Sequence, residues 1–217
     1  MFQNIIRLII EFFNSFGKKT TTPSIISPPP NKKLIEQDFI SASKLLNVEI
    51  EAIKAVTAVE SNGGGFFEDG RPKILFEAHL YGKLTNHIYD SSNPSISCIK
   101  WDKTLYKGGI KEYDRLKEAI NLNREAALKS TSFGLFQILG MNYKICEFEN
   151  VDKFVEAQAE SEGKQLESFV KFVKNNKLDQ YLKDKNWAEF TKHYNGPGQV
   201  ELYSSKLQQA YDKAKNG

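Results

Sequence analysis

Residues 55–85 read AVTAVESNGGGFFEDGRPKILFEAHLYGKLT, and this stretch decides how the rest of the chain is interpreted. Its first residues continue an apolar pattern that begins after Asn47, which predicts a helix with Asn47 as its N-cap. The glycines Gly63–Gly65 are expected to end that helix. Glu60 is therefore predicted at the carboxyl end of an apolar helix, directly before a glycine-rich loop.

A carboxyl group at this position is a candidate general acid. Partial burial disfavours the charged form of a carboxyl group and raises its pKa. A raised pKa allows the acid to protonate a glycosidic oxygen near neutral pH. The alternative interpretation of Glu60 is a solvated residue at a helix end, although the helix dipole disfavours a carboxylate there.

A second carboxyl group, that of Glu77, interrupts the apolar run ILFEAH. Burying an unpaired charge is unfavourable, so Glu77 either faces a cleft beside Glu60 or forms an ion pair. The alternative partners for such a pair are Arg71 and Lys73, and we favour the cleft. His79 either assists Glu77 or packs in the core.

Two further motifs lie downstream, GLFQ at residues 134–137 and YNGPG at residues 194–198. Together with Glu60-Ser61 they give the order E-S, G-L-x-Q and Y-N-x-x-G. This order resembles the fingerprint of the goose-type lysozyme and lytic transglycosylase branch of the lysozyme superfamily. Longer strings are similar to the N-acetylmuramidase domain of phage endolysins, from about residue 35 to the C-terminus. These strings are residues 55–85, 123–143, 161–176 and 187–198.

The resemblance implies a mainly α, lysozyme-like domain with a small loop and β-hairpin region. It implies that Glu60 is the catalytic acid and includes Glu77 as the candidate second carboxylate. Ser61 and His79 are assigned to substrate binding with the motif residues. Trp101 and Tyr106 either stack on sugar faces or belong to the core.

The motif residues receive individual roles from the same resemblance. Gln137 lines the sugar cleft with an amide that both donates and accepts hydrogen bonds. Tyr194 positions the Glu60 carboxyl or contacts the sugar, and Asn195 shapes the loop. The alternative for Gln137 and Tyr194 is structural hydrogen bonding close to Glu60.

The implied activity is hydrolysis of the β-1,4 bond between N-acetylmuramic acid and N-acetylglucosamine in peptidoglycan, for bacterial cell-wall lysis. Two alternatives stay open, a lytic transglycosylase acting on the same bond and a non-catalytic glycan-binding domain. Glycoside hydrolases usually use two carboxylates, whereas lytic transglycosylases manage with one, so the role of Glu77 bears on the choice.

Helical patterns account for most of the remaining chain. They predict helices over residues 34–46, 111–130, 151–175 and 200–215, with two short helices within 178–194. Residues 66–110 are predicted to form loops and a small hairpin, and STSFGLFQILG (130–140) is interpreted as a short helix. The catalytic domain is assigned to residues 34–217.

The first 33 residues have a different character. Residues 1–16 form a predicted amphipathic helix that either contacts a membrane surface or a partner, or packs on the domain. Residues 17–33 form a linker rich in Pro, Thr, Ser and Lys. The pattern at the N-terminus does not predict a cleavable signal peptide or a transmembrane span. We expect synthesis in the cytoplasm and action on the cell wall after release or export.

Composition fits these expectations. The 217 residues carry a net charge of +3, which suits a polyanionic target and is also ordinary for a soluble protein. The three histidines lack metal-type spacing, so we expect no metal and no cofactor. Cys98 and Cys146 are interpreted as reduced thiols, at least one of them buried. The expected partner is the glycan strand of peptidoglycan, without nucleic acid, and the expected state is a monomer.

Overall fold

Helix α2 (Ile50–Glu60) is the central element of the computed structural model, which describes residues 32–60 and 64–216. Small and branched apolar residues cover its buried face, and Ala52, Ile53 and Val56 are fully buried. Helix α1 (Glu36–Leu46) and the last helix pack against it. This burial holds the end of α2, and therefore Glu60, in a fixed position relative to the rest of the domain.

Ten α-helices and a three-stranded antiparallel sheet are found within the described residues, which confirms the predicted mainly α class. After α1 and α2, the helices are α3 (Ala78–Leu84), α4 (Glu112–Leu122), α5 (Arg124–Lys129), α6 (Val151–Glu160), α7 (Glu162–Asn175), α8 (Asp179–Lys183), α9 (Trp187–Tyr194) and α10 (Val200–Asn216). The strands are β1 (Ile74–Phe76), β2 (Thr131–Phe133) and β3 (Ile138–Leu139). Short 3-10 turns cover Lys103–Leu105, Gly109–Lys111 and Gly140–Tyr143.

The sheet has the order β1-β2-β3, with Phe133 paired to Ile74 on one side and to Ile138 on the other. These three residues are buried, whereas Leu75 and Ser132 between them are partly exposed. The alternation is the period-two pattern of a strand with one buried face. The sheet therefore packs its apolar face on the helical core.

The interpretation of residues 130–140 as a short helix is wrong, because this segment forms the β2–β3 hairpin. Gly134 and Gln137 adopt positive φ angles of 73° and 47° in the turn. Left-handed conformations end a helix and allow the chain to reverse. The loop interpretation of residues 66–110 also missed helix α3, which begins directly after Glu77.

Helix boundaries differ from the predictions at several positions, and one of them is Asn123, the N-cap of α5, which divides the predicted helix over 111–130. Asn47 is the C-cap of α1, with a φ of 52°, and its N–H bonds to the carbonyls of Lys44 and Ser43. The prediction of Asn47 as the N-cap of α2 is therefore wrong, and the left-handed tolerance of Asn explains its position. The predicted helix over 151–175 is divided at Ser161, whose extended backbone and side chain cap α7.

Several other properties can be stated for the described part of the chain. Cys98 and Cys146 are free thiols, and Cys146 is buried. None of the described helices is long and apolar enough to cross a membrane, and no three described His, Cys, Asp or Glu side chains form a group that could hold a metal ion. The predicted helix over residues 1–16, the linker up to residue 31, and Ser61 lie outside the described residues.

Candidate active site

Glu60 is the last residue of α2, and its side chain is partly buried. Burial raises the pKa of the Glu60 carboxyl, because the charged form loses solvation. Asn195 Nδ2 donates a hydrogen bond to Glu60 Oε1 over 3.1 Å, and this bond lowers the pKa by a smaller amount. The net result is a carboxyl group whose protonated form persists to higher pH than that of a solvated Glu.

Tyr194 lies next to Asn195 at the end of α9, but its hydroxyl group binds elsewhere. It donates to the carbonyl of Phe136 over 3.0 Å, in the turn between β2 and β3. The ring contacts Phe169 edge-on and stacks on Phe190. Burial and the nearby Glu60 charge raise the pKa of Tyr194, so the hydroxyl group remains a donor. Tyr194 thus ties α9 to the hairpin turn, and Asn195 holds the Glu60 carboxyl.

Gln137 lies in the same turn and is exposed. Its amide nitrogen donates to the carbonyl of Gly134 over 2.7 Å and to that of Lys73 over 3.4 Å. The first bond closes the turn, and the second joins the turn to the residue before β1. Glu60, Asn195, Tyr194 and Gln137, hereafter the Glu60 group, are therefore connected through one hairpin turn.

Two buried polar residues that sequence reasoning missed hold backbone N–H groups, one in this turn and one at Gly65. Gln165 Oε1 accepts from the N–H of Leu135 over 2.7 Å, and Glu162 Oε1 accepts from the N–H of Gly65 over 2.8 Å. A Cβ atom at Gly65 would lie 2.0 Å from Gln165 Oε1, and one at Gly134 would lie 2.5 Å from Gln165 Cδ. Both glycines are therefore required for this close approach.

A signal for these two residues exists in the sequence. Glu162 and Gln165 are three residues apart, on the helix face that also carries the buried Leu166 and Phe169. Polar residues within an apolar helical stripe need hydrogen-bond partners inside the protein. The partners are backbone groups 97 and 30 residues away along the chain, which the pattern does not reveal.

The last two residues of the predicted linker also contact this part of the domain. Lys32 Nζ donates to the carbonyls of Gly70 and Ala159, at 3.0 and 3.1 Å. Lys33 Nζ lies 3.1 Å from Glu162 Oε1, the oxygen that also holds Gly65. Lys32 and Lys33 therefore pack on the domain, and Lys33 contacts the same Glu162 carboxylate that holds the backbone of Gly65.

Glu77 belongs to a second group of side chains at the other end of β1. Tyr106 donates its hydroxyl hydrogen to Glu77 Oε2 over 2.5 Å, and His79 Nδ1 lies 3.4 Å from the same oxygen. The indole N–H of Trp101 donates to the Tyr106 hydroxyl oxygen over 2.8 Å. Glu77, His79, Tyr106 and Trp101 are hereafter the Glu77 group.

The two groups differ in position along β1. Gln137 bonds to Lys73, directly before the strand, and Glu77 follows the strand directly. Four extended residues span about 13 Å between the two positions. No hydrogen bond joins the Glu77 group to Glu60 within the described residues, and Arg71, one of the suggested partners of Glu77, instead forms an ion pair with Asp69 at 2.7 Å.

The sequence and the structure of the chain were compared with known families, curated proteins and solved structures. The family model described as Muramidase, N-acetylmuramidase, matches residues 49–215. Among solved structures, the chain is similar to the endolysin of the Burkholderia phage AP3, with 38% sequence identity and a TM-score of 0.80. That match covers 85% of this chain and 72% of the endolysin chain. The comparison with curated proteins found no match.

Proposed function

Because the chain belongs to the N-acetylmuramidase family, we propose that it hydrolyses the β-1,4 bond between N-acetylmuramic acid and N-acetylglucosamine, with Glu60 as the general acid. The coarser activity, lysozyme-like hydrolysis of peptidoglycan, agrees with the family and with the phage endolysin neighbour.

One observation carries the assignment of Glu60. Its carboxyl group is the one carboxyl group among the four residues of the Glu60 group, and burial raises its pKa above that of a solvated Glu. Asn195 fixes Oε1, so the orientation of the carboxyl group is set before substrate binds. A positioned acid with a raised pKa is what protonation of a glycosidic oxygen requires.

In the proposed reaction, Glu60 transfers its proton to the glycosidic oxygen as the bond from that oxygen to the anomeric carbon breaks. Water then adds to the anomeric carbon and gives one proton to a second carboxylate, which acts as the general base. We assign this second role to Glu77. Its Oε2 is held by Tyr106 and His79, whereas no donor among the described residues occupies Oε1. Gln137, Asn195, Ser61 and His79 are proposed to bind the sugars, and Tyr194 to position the turn.

A second function, lytic transglycosylation of the same bond, is favoured by one feature. Asn195 bonds to the Glu60 carboxyl, and among the described residues no hydrogen bond joins Glu77 to Glu60 or to Asn195. A transglycosylase needs only the acid, because a hydroxyl group of the sugar itself closes on the anomeric carbon. In that reaction Glu77 is a structural residue and no water is added.

Mass spectrometry of digested peptidoglycan separates the two reactions. Hydrolysis leaves reducing muramic acid ends, and we expect these. Anhydromuramyl ends would instead establish transglycosylation. The absence of any released glycan, together with retained wall binding, would favour a glycan-binding domain without catalysis.

Substitution Glu60→Gln tests the acid itself. We expect kcat to fall by about 100- to 10,000-fold, the usual contribution of a general acid. Because burial raises the pKa of Glu60, its charged form destabilises the folded state above that pKa, so Glu60→Gln is expected to keep or increase the melting temperature at pH 7. An active Glu60→Gln variant would refute the assignment, and an unfolded one would be recognised by its melting curve.

A further inference from the structure

We propose that Trp101 is a stacking platform for an N-acetylated sugar of the glycan strand, held in place by Tyr106. This proposal rests on the proposed function, since it names a binding residue for the same substrate. It concerns the loop that carries Trp101, which is linked to Glu77 through Tyr106.

Trp101 is largely exposed to solvent, although a hydrogen bond holds its ring. The exposed fraction of the residue is 60%, yet its polar atom is occupied, because Nε1 donates to the Tyr106 hydroxyl group over 2.8 Å. The surface that remains accessible is therefore the apolar part of the indole ring. The ring also has a tilted contact with the Tyr106 ring, at 6.4 Å between centroids, so a bound N–H edge and a ring contact orient an indole that is still largely exposed for stacking.

Tyr106 holds this ring because it is itself held on two sides. Its hydroxyl oxygen accepts a hydrogen bond from Trp101, and its hydroxyl hydrogen is donated to Glu77. The hydroxyl group therefore acts as donor and acceptor at the same time. The guanidinium group of Arg115 lies 5.7 Å from the centre of the Tyr106 ring, and Arg115 is buried. The support of Trp101 therefore reaches the buried core through two consecutive hydrogen bonds and a cation–π contact.

The loop that carries Trp101 has its own local structure. Asp102 caps the following turn, since its carboxylate accepts from the N–H and the hydroxyl group of Thr104, at 2.8 and 2.7 Å. These bonds lower the pKa of Asp102, which stays charged and keeps the cap at neutral pH. A loop that is already ordered binds with a smaller entropic penalty.

The chemistry around the ring fits a sugar better than an apolar partner. His79 and Glu77 lie in the same group, with side chains 28% and 16% exposed. Neutral sugars combine apolar C–H faces with hydroxyl and amide groups, so an aromatic face beside polar side chains matches both parts. A protein or lipid surface would instead use the neighbouring Ile99, which is 74% exposed.

Titration with a soluble β-1,4-linked tetramer of N-acetylglucosamine tests the platform. The titration is carried out in the Glu60→Gln background, where the ligand is not consumed, and is followed by tryptophan fluorescence and calorimetry. The chain has two Trp residues, and the other, Trp187, is only 5% exposed. We expect a saturable fluorescence change that is lost in Trp101→Phe, because only the exposed ring is near the ligand.

Calorimetry supplies the affinities of matched variants. Trp101→Ala is expected to weaken binding by about 3- to 10-fold, the range of an aromatic stacking contact. Tyr106→Phe keeps the supporting ring but removes both hydrogen bonds, so we expect a smaller loss. Ile99→Ala, the control for exposed apolar surface, is expected to bind like the parent.

Two results overturn the proposal. One is unchanged affinity in Trp101→Ala, and the other is an equal loss in Ile99→Ala, which would indicate a general apolar surface. Failure of the proposed function is seen separately, as Glu60→Gln that still cleaves peptidoglycan or as wild-type protein that does not. If the wild type does not cleave peptidoglycan, the fluorescence comparison between Trp101→Phe and its parent still tests the platform.

Discussion

The two ends of strand β1 carry polar groups that are held by different kinds of contact. At the Lys73 end, Gln137 and Tyr194 bind backbone carbonyls, and Gln165 behind them binds a backbone N–H. At the other end, Glu77 and Tyr106 are joined through side chains alone. Within the Glu60 group the bond from Asn195 to Glu60 is also between side chains, but the bonds that support the hairpin turn end on backbone groups that no substitution removes.

This difference indicates how each end is expected to respond to substitution. The Glu60 group depends on contacts between distant parts of the chain, such as the bond between Asn195 and Glu60, which are 135 residues apart. Changes in its support should therefore affect stability and activity together. Changes in the Glu77 group should affect the reaction or glycan binding with little effect on folding.

The largest effect expected at the second end is that of Glu77→Gln. If Glu77 assists the attack of water, kcat falls by at least about 100-fold, the usual contribution of a catalytic base. Binding of the glycan tetramer should change much less, because Gln keeps an oxygen that accepts from Tyr106. Steady-state kinetics on purified peptidoglycan measures kcat and KM separately.

Glu201→Gln is the control for Glu77→Gln, since Glu201 is an exposed carboxylate on α10. We expect its kcat and KM to match those of the wild type. A Glu77→Gln enzyme with nearly normal kcat that releases anhydromuramyl ends would contradict the second catalytic role. That result would leave the Glu60 group as the whole catalytic centre and sharpen the contrast between the two ends.

Gln165→Leu is expected to lower both stability and activity, each by less than Glu77→Gln lowers kcat. The substitution removes the side chain that holds the hairpin turn at the Lys73 end of β1. In the wild type the Gln165 amide accepts from the N–H of Leu135 and donates to the carbonyl of Gln158, each over 2.7 Å. Leu at this position leaves both buried backbone groups without a partner. An unsatisfied buried group destabilises a protein by about 1–3 kcal/mol. For a domain of this size, each 1 kcal/mol lowers the melting temperature by about 2–4 °C.

Activity of Gln165→Leu should fall as well at temperatures where the protein is folded, because the Gly134–Gln137 turn is no longer fixed. Gln180→Leu is the matched control, since Gln180 is exposed and its amide reaches only Asp184. Thermal melts and kinetics on both variants provide the comparison. A Gln165→Leu variant that loses stability but keeps full kcat would show that the support does not position the site.

Sequence reasoning reached the residues of the first end but not the way they are held. The position of Glu60 at a helix end follows from the apolar period and the glycines, which are local features. The bond from Asn195 to Glu60 was not predictable from either segment, because it depends on how α9 packs relative to α2. The resemblance to endolysin muramidases placed both residues in one site without specifying their contact.

The hairpin between β2 and β3 was missed for a physical reason. Strand β2 has three residues and β3 has two, which is too short for an alternating pattern to be distinguished from a helical one. The left-handed conformation of Gln137 depends on its bonds to Gly134 and Lys73, which are tertiary features. Sequence therefore predicted the mainly α class correctly and placed the small sheet incorrectly.

The smallest expected effect concerns the pH profile of Asn195→Ala. The general acid must be protonated, so kcat/KM falls as pH rises through the pKa of Glu60. The hydrogen bond from Asn195 stabilises the charged carboxylate and lowers that pKa. Its removal raises the pKa further, and the alkaline limb of the profile should move to higher pH.

Asn121→Ala, an exposed change on α4, is the control and should leave the profile of the wild type unchanged. Profiles of kcat/KM from pH 4 to 9, on the order of one measurement per half unit, locate the limb relative to the model-compound range of Glu. A limb that stays in place or moves to lower pH in Asn195→Ala would mean that the titrating acid is not the carboxyl group that Asn195 holds.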